Sequence, residues 1–150
     1  MSRIINTQSP GKIRNQHRRT IAEALRRLSQ KPQLDGEAKD LAALIVSSLH
    51  SIADTVDQTI DAWEKRDYYM KAERFREKWR WLEPITDELS AIIGGTSEER
   101  RRSGDLAERW DQLPSVLARL MPHFADIKIK QMTRKPTLWQ GAYERFVRED

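Results

Sequence analysis

"LAALIVSSLHSIADTVDQTIDAW", from Leu41 to Trp63, carries Leu41, Ile45, Leu49, Ile52, Val56, Ile60 and Trp63 at steps of four, four, three, four, four and three. An α-helix, turning about 100° per residue, brings these positions onto one face, whereas a strand would scatter them over two. No glycine, proline or asparagine occurs between Glu37 and Glu83, so no local breaker stops the helix. Asp35, lying after Pro32 and before Gly36, is placed to cap its first turn.

The continuation, "WEKRDYYMKAERFREKWRW" from Trp63 to Trp81, packs six aromatic and seven basic side chains into nineteen residues. The stripe continues in phase through Met70, Trp81, Ile85 and Ile92. A second stripe, Tyr68, Ala72, Phe75, Trp79, Leu82, Leu89 and Ile93, opens about 110° away. Trp63, Tyr68, Phe75, Trp79 and Trp81 therefore fall where a helix between two neighbours needs apolar groups, while Lys65, Arg66, Arg76 and Arg80 fall mainly outside. Acids interleave with the cations as Asp67 with Lys71, Glu73 with Arg76 and Glu77 with Arg80. These rings are expected to be committed to packing rather than free to stack on bases. An unbroken helix from Asp35 to Leu82 would be about 70 Å long, against some 35 to 40 Å for a compact domain of this size. A turn near Lys65 to Asp67 is the expectation, with Asp67 capping the next helix.

The flanks read as further short helices. Residues 1–12, with Asn6, Ser9, Pro10 and Gly11, suit an irregular arm. Ile13, His17, Ile21, Ala24, Leu25 and Leu28 then mark a cationic first helix that ends by Pro32. Pro84 starts or kinks a segment closed by Gly94-Gly95, and Thr96 with Glu99 resembles a capping box. Leu106, Trp110, Leu113, Leu117 and Leu120 recur at helical spacing, with Pro114 in a first turn and Pro122 at a boundary. Ile127 and Ile129 lie in loop or short helix, and Trp139, Ala142, Tyr143 and Phe146 in a last helix. The expectation is one all-α domain, a helical bundle of four to six helices with a long amphipathic central helix or helix pair and a basic N-terminal arm.

Composition narrows the function. The 150 residues are 38% hydrophobic and 33% charged, which suits a folded domain with a heavily solvated surface. Without cysteine there is no disulfide framework, thiolate metal site or cysteine nucleophile, and the chain suits a reducing cytoplasm. No apolar run approaches the roughly 20 residues that span a bilayer, and no signal-peptide stretch opens the chain, so neither a membrane nor secretion is expected. The net charge of +4 is uneven: residues 1–31 hold eight basic groups against the single acid Glu23, while residues 32–96 are net acidic.

Lys12, Arg14, Arg18, Arg19, Arg26 and Arg27 are accordingly the candidate partner-binding residues, with Lys128, Lys130, Arg134 and Lys135 as a possible second patch. Asp54, Asp57, Asp61 and Glu64 line one helical face as a magnesium-dependent phosphohydrolase would require. Their mean direction, however, lies about 125° from the Ile52 to Trp63 stripe, toward solvent. His17, His50 and His123 lack metal-ligand spacing, and "SPGKIR" lacks the glycine and hydroxyl residue of a phosphate-binding loop. No catalytic, cofactor-binding or metal residues are assigned, and no cofactor is expected. The functional expectation is a non-enzymatic helical interaction protein of adaptor or scaffold type, with a protein partner or self-association. The alternative is a nucleic-acid-associated protein gripping the phosphate backbone through the basic N-terminal segment.

Overall fold

Ser9 sits in extended backbone and its hydroxyl accepts from the Lys12 amide at 3.2 Å, so the first helix, α1, begins at Pro10 and runs to Ser29. Proline at N1 loses no hydrogen bond because that amide has no helical partner. Residues 10–12 thus belong to α1 and not to an irregular arm. The computed structural model describes residues 8–94, 109–128 and 139–148. Residues 1–7, the Thr96 to Glu99 capping box, Leu106, Ile129 and three of the second-patch cations, Lys130, Arg134 and Lys135, lie outside them.

The described residues form an all-helical bundle. Helix α2 spans Gly36–Lys65 and is followed by α3 (Tyr69–Lys78), α4 (Leu82–Ile93), α5 (Leu113–Leu120), a 3-10 turn at Met121–Phe124, and α6 (Ala142–Arg148). Asp35 caps α2 as expected, accepting from the Ala38 amide at 2.8 Å. Its thirty residues, about 45 Å long, form the axis on which α1, α3, α4 and α6 pack. Leu41, Ile45, Leu49, Ile52, Val56 and Ile60 are all buried, and Ala42, Ala43 and Val46 widen the stripe because neighbours flank α2 on several sides. Ile21 and Leu25 of α1, Leu89 and Ile93 of α4, Leu120 of α5 and Trp139 complete the same core.

The expected turn is present, but Asp67 does not cap α3. It ends α2 in a left-handed conformation at φ 64°, while the Tyr68 amide donates to the Trp63 carbonyl at 2.9 Å and the Asp67 amide to the Glu64 carbonyl at 3.0 Å. This is the Schellman pattern, with aspartate at the position glycine usually takes. The turn resets the helical phase. Tyr68 and Met70, which the continuous stripes would bury, are 52% and 72% exposed. Farther on, α4 begins at Leu82, so Pro84 lies in its first turn, and Gly94 closes it at φ 78°.

Candidate interaction surface

The aromatic and basic stretch resolves into an inner row and an outer tip. Inside, Trp63 meets Phe75 edge-on at 5.1 Å, Phe75 meets Trp79 at 6.3 Å, Trp79 meets Trp81 at 5.6 Å, and Trp81 stacks on His123 at 3.8 Å. The cation over Phe75 and Trp79 comes from α1. The Arg14 guanidinium lies 4.8 Å from the Phe75 centroid, with Nε donating to Thr55 Oγ1 at 3.1 Å and Nη2 to Thr59 Oγ1 at 2.7 Å. Burial, and secondarily the nearby Arg18, push its pKa below the ordinary arginine value.

The six candidate cations of α1 are not brought together. Arg14 is engaged in this internal clamp. Arg18 forms a forked ion pair with Asp126 at 2.9 and 3.0 Å, and Arg27 lies over the Trp139 ring at 4.5 Å. Lys12, Arg19 and Arg26, spaced by seven, remain exposed along one line of the helix. Lys128 of the second patch is also exposed. Asp54 and Asp61 are exposed on α2, Asp57 is exposed at a cleft of about 580 Å³ shared with Arg76, Trp79 and Arg80, and Glu64 accepts from Arg76 Nη2 at 3.3 Å.

Two further surfaces went unnoticed in the sequence. The tip between α2 and α3 presents Tyr68, Tyr69 (59% exposed) and Met70 in succession. The Tyr69 hydroxyl donates to Asp67 Oδ1 at 3.1 Å, and the Lys71 ammonium lies 4.6 Å from the Trp63 ring centroid. Lys65, Arg66 and Arg74 are exposed around it and make no ion pair among the described residues. The local clue was the base-rate limit on helix length; a break near residue 67 exposes whatever follows it.

The second surface is a groove of about 470 Å³ at the opposite end of α2, between the end of α1, the following connection and α5. Leu28, Pro32, Leu113 and Leu117 line it, and Leu34 and Met121, 43% and 45% exposed, also face it. Lys31 on its edge is held by Asp35 at 3.0 Å and Glu37 at 3.6 Å, and the exposed Asp111 stands on the other side. No local signal marks this groove, because its walls come from segments some eighty residues apart.

Among the described residues no helix is long and apolar enough to cross a membrane. Comparison with known proteins finds no matching family model, no matching curated protein and no matching solved structure.

Proposed function

We propose that this chain is a non-enzymatic helical interaction module, of adaptor or scaffold type, that engages a protein partner through the α2–α3 tip. The observation that carries the reading is the run Tyr68, Tyr69 and Met70, exposed in succession and surrounded by Lys65, Arg66, Lys71 and Arg74. Exposed aromatic and methionine side chains clustered on a rigid turn are the anchors that protein interfaces favour, and a cationic rim steers association. The exposure of Asp54 and Asp61 supports the non-enzymatic part, since catalytic carboxylates in a bundle converge inward. The proposed setting is the cytoplasm, which a cysteine-free chain suits.

The test is a photoreactive residue in place of Met70, with Arg80 as an exposed control, in cells producing the full chain. One discrete adduct from position 70 only, whose partner binds the wild type and not Met70→Glu, supports the reading. The same products from both positions, or none, overturn it.

A nucleic-acid reading retains one specific support. The Arg14 bonds to Thr55 and Thr59 place the first turns of α1 beside the last turns of α2, so the exposed Lys12 shares an end of the bundle with the tip cations. Fluorescence anisotropy with labelled single and double strands at low and physiological salt decides it. Salt-sensitive binding lost on reversing Lys65, Arg66 and Arg74 would move it ahead of the protein reading.

A further inference from the structure

We infer that the partner of the tip is a second copy of this chain, whose groove between α1 and α5 receives Tyr69 and Met70. The inference rests on the tip being an interaction surface and names what covers it. The exposed large apolar side chains of the described residues, Leu34, Tyr68, Tyr69, Met70 and Met121, fall into two sets. Three form the exposed apolar patch of the tip, and Leu34 and Met121 stand at a concave apolar groove of about 470 Å³. Exposed aromatic and methionine side chains and an apolar groove satisfy each other as hot-spot anchors and pockets do.

The charges agree in sign. Lys65, Arg66, Lys71, Arg74 and Arg76 surround the tip against Glu64, Asp67 and Glu73, of which the two glutamates share Arg76 and Asp67 accepts from the Tyr69 hydroxyl, so the tip is net cationic. Asp111 lines the groove, Asp35 and Glu37 stand beside it on Lys31, and Lys39 lies 5.7 Å from the lining Trp110 ring, so three carboxylates face two ammonium groups and leave one net negative charge. Arg26 lies farther back along α1, beside an adjoining hollow. The tip is cationic and the groove carries one net negative charge, which favours this pairing over tip-to-tip contacts.

Geometry excludes a single copy filling its own groove. Ala38 lines the groove and Lys65 ends α2 at the tip, so the two are separated by about 40 Å of continuous helix. Antiparallel α2 helices in two copies would bring each tip to the end of the bundle that carries the other's groove, so two equivalent contacts and a closed two-fold dimer are the expected assembly.

The test uses purified full-length chain. Sedimentation equilibrium of the wild type is compared with Met70→Glu and Met121→Glu, both at exposed positions where circular dichroism should retain the helical signal. The inference expects a wild-type dimer whose dissociation constant rises at least tenfold in each variant. With a photoreactive group at position 70 and a mixture of isotopically light and heavy copies, it also expects light-to-heavy adducts on the groove. A monomeric wild type, a dimer indifferent to both variants, or adducts within one copy would overturn it. If the purified chain is monomeric while position 70 still captures a different protein in cells, self-association fails and the tip reading stands. If neither experiment yields an adduct, both fall.

Discussion

Asp40, in the second turn of α2, holds the start of α6: its Oδ1 accepts from the Tyr143 amide at 3.0 Å and its Oδ2 from the Gly141 amide at 3.0 Å. A carboxylate from one helix thus supplies the N-terminal cap of another, answering amides that have no partner within their own helix. Asp40→Ala is expected to cost about 1 to 2 kcal/mol and to speed hydrogen exchange at residues 141–145 before the core is affected. Asp40→Asn, with one accepting oxygen, should recover part of the loss. Unchanged exchange in the alanine variant would refute the capping role.

Arg14 makes its contacts with a planar fork and a ring stack, geometries a lysine ammonium cannot reproduce. Arg14→Ala should lower stability by about 2 kcal/mol, and Arg14→Lys should restore little of it. Arg19→Ala, at an exposed position on the same helix, should stay within about 0.5 kcal/mol. Urea denaturation of the three variants separates these outcomes.

Asp67 occupies a left-handed conformation that costs a residue with a Cβ about 1 kcal/mol. Asp67→Gly should therefore be neutral or stabilising by up to about 1 kcal/mol, and Asp67→Val destabilising by more than that. A melting temperature that falls with glycine would show the carboxylate contact with Tyr69 to outweigh the backbone.

Burial lowers the pKa of His123, stacked on Trp81, and of His17 below the ordinary histidine value near 6.5. The unfolded chain then binds protons first as pH falls, so their contribution to stability is full above about 6.5 and declines below it toward the lowered folded values. Unfolding free energy should drop between pH 7.5 and 5. His123→Phe, which keeps a ring on Trp81, should flatten that slope without removing the part due to His17. An equal slope in the variant would exclude His123.

The helical class and the course of α2 were legible because its repeat runs uninterrupted for over twenty residues, and a long periodic signal overrides local noise. Tyr68 and Met70 were misplaced because phase was carried across a helix end, where the left-handed Asp67 breaks the angular register. Arg14 looked available for a ligand because its partners, Thr55 and Thr59, lie more than forty residues away and leave no mark on the local pattern. Their spacing of four on the flank of α2 was the one readable hint. The tip and the groove are products of chain reversal, which periodicity does not encode.

The Asp40 cap also orders the folding reaction. The packing of α1, α3 and α4 on α2 closes loops of some tens of residues, whereas joining Asp40 to Gly141 and Tyr143, like joining Arg18 to Asp126, closes a loop of about a hundred residues, with a correspondingly larger entropic cost. Helix α6 and the segment around Asp126 are therefore expected to dock after α1 to α4 and to detach before them, making these late-closing segments the places where proteases and early unfolding begin.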